Sequence, residues 1–228
     1  MRKDVIKSLI AIKQSEIPFD VIERDVKLPI NRKKIITVPG VRRCGKSTLM
    51  EITINNLVRE GVPSKNILWL GFDDERLRMM SSEELDDVIV SYMEMFPDTP
   101  IKDVHIFFDE IQLIKDWEYF VLRVYKSYCK NIYICGSNAT MLSGELATFL
   151  SGRYIEFKVY GLTYTEFLEF HKLEDSVEAF SRFYRFGGLP YLASLPFEEH
   201  LIMEYLRNIY NTIILKDVVN RYSIRNVR

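Results

Sequence analysis

A chain of 228 residues fits one large domain, or one with a small appendage, at roughly 150 residues per domain. With 47% hydrophobic and 28% charged residues it lies near the globular average, which excludes collagenous, disordered and disulfide-scaffold classes. Its 31 Lys and Arg against 32 Asp and Glu leave a formal charge of -1, so global charge gives no argument for nucleic acid and only a local basic patch is left open.

Val5, Ile6, Leu9 and Ile10 recur at helical spacing and predict an amphipathic helix near the start, lying outside the core of the domain. Charges at Lys3, Asp4, Lys7 and Lys13 leave Leu9 to Ile12 too short for a signal sequence or a membrane span, so a cytoplasmic location without membrane insertion is expected. After a polar turn at Asn31 to Lys34, the β-branched run Ile35, Ile36, Thr37 and Val38 predicts a strand ending at Pro39-Gly40. A helix follows Lys46 and closes at Gly61. Further strands are expected over Asn66 to Phe72, Val104 to Phe108, Asn131 to Cys135 and Tyr154 to Tyr160. Between them lie helices from Ser81, capped by Glu84, to about Phe96, around Trp117 to Tyr125, and over Ala139 to Leu150.

Five strands alternating with helices predict an α/β fold with a parallel sheet covered on both faces. From Thr163, which pairs with Glu166 in a second capping box, the pattern is helical except for the break at Gly187-Gly188-Leu189-Pro190. Glu198 to Val219 reads as one long helix, and the chain stops soon after it, as a product truncated before a further C-terminal domain would. The expected organisation is an N-terminal helical segment over 1–30, a core over 31–161 and a helical region over 162–228. Cys44, Cys129 and Cys135 are widely spaced with no CxxC pair, and read as reduced thiols rather than zinc ligands.

Gly40-Val41-Arg42-Arg43-Cys44-Gly45-Lys46-Ser47 matches G-x-x-x-x-G-K-[ST] without a mismatch, between a predicted strand and a predicted helix. Glycines at 40 and 45 let successive backbone N-H groups converge on phosphate oxygens, and the free amides of the following helix add positive charge. Lys46 is expected to reach the β- and γ-phosphates and Ser47 to coordinate Mg2+; the whole run through Thr48 is a candidate nucleotide contact. Val104 to Phe108 delivers Asp109 and Glu110 to the end of a strand, where ligands of open α/β sheets collect. Asp109 is the candidate Mg2+ ligand and Glu110 the candidate base for the attacking water.

Ser137 and Asn138 end the next strand, where one of them could hydrogen-bond the γ-phosphate or its water, or cap the following helix. Arg153, in the Ser151-Gly152-Arg153 loop, is a candidate to stabilise charge on the γ-phosphate. Asp73, Asp74 and Glu75 read as a charged loop, His105, His171 and His200 as core or surface residues, and Phe180, Phe183, Tyr184 and Phe186 as core.

The chain resembles a family of AAA-type P-loop ATPases in which an AAA-like core precedes a helical region and a C-terminal domain. The resemblance rests on GVRRCGKST from Gly40, FDDERL from Phe72, FFDEIQ from Phe107, GSNATML from Gly136, ELATFLSGRY from Glu145, LTYTEFLEF from Leu162 and FGGLPYL from Phe186. It implies an additional-strand sheet with the second strand at the edge and the Ser137 strand between the first and third. It also implies ATP with Mg2+, supports Asp109 and Glu110 in the roles above, and implies a homo-oligomer in which Arg153 acts in trans.

Three functions compete on these grounds. The first is an ATPase that couples hydrolysis to conformational change in an attached domain or partner. The second is a P-loop kinase with a small acceptor, which Glu110 disfavours because an acceptor hydroxyl would compete with the water it activates. The third is a nucleotide-dependent switch that binds ATP without turning it over. No N-K-x-D guanine motif supports a GTPase.

Overall fold

The strands are short and their apolar residues almost wholly buried. A computed structural model describes residues 2–137 and 150–213. In it β1 (Ile35–Gly40), β2 (Ile67–Gly71), β3 (His105–Asp109), β4 (Asn131–Ser137) and β5 (Tyr154–Glu156) form one parallel sheet in the order β2-β3-β4-β1-β5. The second strand is therefore at an edge and the fourth lies between the first and third, the additional-strand arrangement. α1 (Arg2–Ser15), α2 (Lys46–Arg59), α3 (Asp86–Met95) and α4 (Trp117–Ser127) accompany the sheet. The expected helix over Ala139 to Leu150 falls outside the described residues except at its end.

Period-two alternation divides the sheet's side chains between two faces. Leu68, Leu70, Ile106, Phe108, Ile132 and Ile134 enter a core cluster with Val88, Tyr92, Phe120 and Val124 of the helices. The other face carries Trp69, Phe107 and Tyr133, which lie in register on adjacent strands. Their rings stack with centroids 6.0 Å and 4.5 Å apart and nearly parallel planes. Aromatic pairs of this kind add about 0.5–1.5 kcal/mol each beyond the area they bury.

Three expectations about the sheet and the helices against it change. α1 does not lie outside the core: Ile6 and Ile10 are completely buried in the same cluster, because edge-strand residues Leu68 and Leu70 need an apolar cover. Its Gln14 also donates from Nε2 to the Ile67 carbonyl, at 2.8 Å. The segment from Ser81 opens as a 3-10 turn over Ser82–Leu85 before turning α-helical at Asp86, while Glu84 accepts the Ser81 N-H at 2.8 Å. β5 stops at Glu156 rather than Tyr160, although the Phe157 N-H still reaches the Thr37 carbonyl at 2.8 Å. Glu156 and Lys158 pair with each other here, and pairing returns only at Val159, which bridges Gly40 in parallel.

The described residues divide into two compact units, one of residues 2–39, 46–136 and 150–158, the other of 40–45, 137 and 159–213. In the second, α5 (Tyr164–His171) begins at Thr163, whose hydroxyl accepts the Glu166 N-H while Glu166 accepts the Thr163 N-H. α6 (Val177–Phe186) and α7 (Glu199–Thr212) follow, separated by the expected Gly-Pro break and a 3-10 turn over Pro190–Ser194. Phe186, Leu192 and Ile202 form a small core. Of the aromatic run expected to be core, Phe180 and Tyr184 are instead 53% and 85% exposed. They occupy the outer face of α6, whose inner face is filled by Ala179 and Phe186.

Candidate functional site

β1 ends at Gly40 and α2 begins at Lys46, so the glycine-rich segment joins a strand's C-terminus to a helix's N-terminus. Arg43 and Gly45 take positive φ, 63° and 92°, which turns the chain sharply within five residues. Gly40 has a second reason to be glycine: a Cβ there would lie 2.6 Å from the Val159 carbonyl oxygen and 2.7 Å from Cys44 Sγ. Cys44 is buried, and its thiol lies 3.5 Å from that same carbonyl. Arg43 Nη1 lies 3.3 Å from the Tyr205 hydroxyl, with the guanidinium 5.5 Å from the ring. Val41 is exposed and Arg42 half-buried. The backbone of Ser137 ends β4; Asn138 lies outside the described residues.

Lys46 is 6% exposed at the first position of α2, with Ser47 and Thr48 half-buried after it. Asp109 and Glu110 leave β3 at the sheet's C-terminal edge. Backbone bonds fix both: the Asp109 carbonyl accepts the Phe72 N-H at 2.9 Å, and the Glu110 N-H donates to the Cys135 carbonyl at 3.0 Å. Glu110 then takes a left-handed conformation, φ 53°, which turns the chain away from the strand direction.

The thiol of Cys135 donates to Asp109 Oδ1 at 2.6 Å. Burial, then the charge of Asp109, holds this thiol protonated well above its ordinary range; Glu110 adds to the effect and Lys46 opposes it. Lys46, Asp109 and Glu110 thus act electrostatically on one buried sulfur atom.

Asp73 lies in the charged loop expected after β2 and there neighbours Asp109. With Ser47, Glu51 and Asp109 it lines a cavity of about 390 Å³ that also touches Lys13, Asp74 and Arg76. Burial first, and the Asp109 charge second, push its carboxyl above the ordinary range. Of the four carboxylates lining the cavity, Asp73 and Asp109 together with the Ser47 hydroxyl are oxygen donors suited to Mg2+, and a cation there would relieve the repulsion that Asp73 feels. Asp74, also at the cavity, braces the loop by accepting from Arg76 Nε at 2.8 Å and Nη2 at 2.9 Å.

Arg153 is not brought to these residues. Its carbonyl accepts the N-H of Ile35, the first residue of β1, so it sits at the sheet's N-terminal edge, opposite the edge where Asp109 and Glu110 emerge. Its Nη1 donates to the Ser151 carbonyl at 3.2 Å. Cys135, Asp73 and Gln112, which donates from Nε2 to Glu110 Oε2, are not legible as site residues in the sequence. For Gln112 the available signal is its place in the FFDEIQ run; for Asp73 it is an acidic pair directly after a strand.

A family model described as an AAA domain matches residues 32–168. The chain belongs to the AAA domain family. Its similarity to AAA domains points to nucleotide binding of the ATPase type. An uncharacterized protein of Haemophilus influenzae is 33% identical over 84% of this chain and 48% of its own length. A second relative, the uncharacterized protein MJ1544 of Methanocaldococcus jannaschii, is 31% identical over 91% of this chain and 47% of its own. The AAA chain thus spans about half the length of the curated relatives it matches. AMPPCP-bound DnaA from Aquifex aeolicus is 16% identical, with a TM-score of 0.45 over 96% of this chain and 64% of that one. Among the described residues, no helix is long and apolar enough to cross a membrane.

Proposed function

We propose that this AAA domain binds ATP with Mg2+, hydrolyses it, and couples hydrolysis to conformational change in an attached domain or partner. The observation that carries the reading is the glycine turn that joins the end of β1 to the buried Lys46 at the start of α2, with Asp109 and Glu110 leaving the C-terminal end of β3. The run from Gly40 to Thr48 is the phosphate-binding segment: its amides and Lys46 donate to oxygens of the β- and γ-phosphates. Ser47 and Asp109 hold Mg2+, which when bound neutralises phosphate charge. Glu110 takes a proton from water as the water oxygen bonds to the γ-phosphorus and the bond to ADP breaks. Ser137 or Asn138 contacts the γ-phosphate, and Arg153 serves a neighbouring copy's site in a homo-oligomer.

Glu110→Gln tests this directly. The amide keeps the carboxylate's shape but cannot accept the proton, so the variant should bind ATP and release phosphate far more slowly than wild type. Turnover at the wild-type rate would sink the assignment of the base. One observation favours a phosphotransferase instead: the 390 Å³ cavity beside Ser47 and Asp109 is large enough for a small acceptor. ADP release with no acceptor present separates hydrolysis from transfer, and bound ATP with no ADP formed over hours would identify a switch.

A further inference from the structure

Glu110 leaves its strand in a left-handed conformation, and a backbone turn alone does not orient a carboxylate on two further rotatable bonds. The next residues supply the missing constraint. Ile111 is completely buried, and Leu113 N-H bonds back to the Glu110 carbonyl at 3.0 Å, closing a 3-10 turn that holds the origin of the Gln112 side chain. From that turn Gln112 folds back and donates from Nε2 to Glu110 Oε2. An ionised carboxylate only accepts, so the amide must present its NH2 to Glu110 and turn its oxygen away. That oxygen is buried against Gly136 with no hydrogen-bond partner among the described residues. A Cβ at Gly136 would lie 2.7 Å from Gln112 Cδ and 2.8 Å from Nε2, and closer still to Oε1. Its three nearest neighbours would all be atoms of this one flexible side chain, so Gly136 keeps open the space in which the amide lies.

We infer that Gln112 is a positioning residue for Glu110, fixing the carboxylate for its work on water, and that Gly136 is glycine to admit the Gln112 amide. This rests on the proposed role of Glu110 as base. A base oriented by a third group is a recurrent arrangement in catalytic sites. Gln112 acts through Glu110, so its loss should slow the chemical step and leave nucleotide affinity alone.

The test is a double-mutant cycle on the 228-residue chain, with kcat and KM from ATP turnover and affinity from titration with a fluorescent ATP analogue. Gln112→Ala should lower kcat on the order of 10- to 100-fold, the usual effect of losing a hydrogen bond to a charged group, with affinity unchanged. Isosteric Gln112→Glu keeps the volume beside Gly136 but replaces the donor by an acceptor, and should lose at least as much. A role in packing alone predicts little loss for this variant, so a wild-type kcat in Gln112→Glu overturns the inference. Gly136→Ala should lower kcat by pushing the amide aside, yet add nothing when Gln112 is already alanine, because the clashing atoms are gone. Additive losses, or a kcat that rises in Gln112→Ala, overturn the inference as well. If Glu110→Gln is inactive while Gln112→Ala is at full rate, only the positioning role fails; if Glu110→Gln is at full rate, the base assignment fails and the inference with it.

Discussion

Acid should destabilise the fold through a buried histidine in the strand that carries Asp109. His105 opens β3, is 4% exposed, and stacks on Tyr133 with ring centroids 6.5 Å apart; its Nδ1 has no hydrogen-bond partner among the described residues. Burial pulls its pKa down to about 4 from the ordinary 6.5. Between those values the unfolded chain takes up a proton that the folded chain refuses. Stability is therefore undiminished above pH 6.5 and falls as the pH drops toward 4. At about 1.36 kcal/mol per pH unit, the whole loss is about 3 kcal/mol, a large part of the stability of an ordinary domain. Urea unfolding at pH 7.5, 6, 5 and 4 measures it. His105→Phe keeps a ring against Tyr133 and removes the titration, so wild type should lose about 3 kcal/mol more than the variant across that range. Identical pH dependence in the two proteins would refute the reasoning.

Lys46→Ala should abolish useful MgATP affinity in a fluorescent-analogue titration, and Asp109→Asn should weaken the dependence of binding on magnesium; wild-type behaviour in either removes that residue from the site. Arg153→Ala should keep ATP binding and lose hydrolysis by on the order of 10³ or more. Mixing it with Lys46→Ala should restore some activity, and no rescue in a demonstrably mixed oligomer rejects action in trans. Gly188→Ala should lower thermal stability by roughly 1–3 kcal/mol. Its Cβ would meet the backbone of Leu162, 2.9 Å from the nitrogen and closer to the carbonyl oxygen, and neither can swing aside. An unchanged melting temperature counts against that packing.

The phosphate-loop residues and the Asp109-Glu110 pair are legible because each is a contiguous run whose chemistry depends on neighbours in sequence. The strand order is not written in any run. It comes from the resemblance, since five similar apolar strands can be ordered in many ways on local grounds. Cys135 reads only as the end of a strand, because a cysteine's value here depends on β4 pairing Cys135 with Asp109 across the sheet. Asp73 is obscured for the same reason: it is acidic among acids in sequence, and only its nearness to Asp109, against Asp74's pairing with Arg76, separates the two. The burial of α1 is hidden because its charges describe the exposed face and say nothing of what Ile6 and Ile10 cover.

That first helix has a protective consequence. β2 is an outermost strand, and an outermost strand offers unpaired backbone groups to any other chain that can pair with it. The side-chain amide of Gln14 occupies the Ile67 carbonyl, and Ile6 and Ile10 lie over the apolar residues nearby. The N-terminal helix therefore acts as a guard against strand addition. A chain shortened past Ser15 should form sheet-extended aggregates, and it would do so with its phosphate loop and its acidic pair still intact.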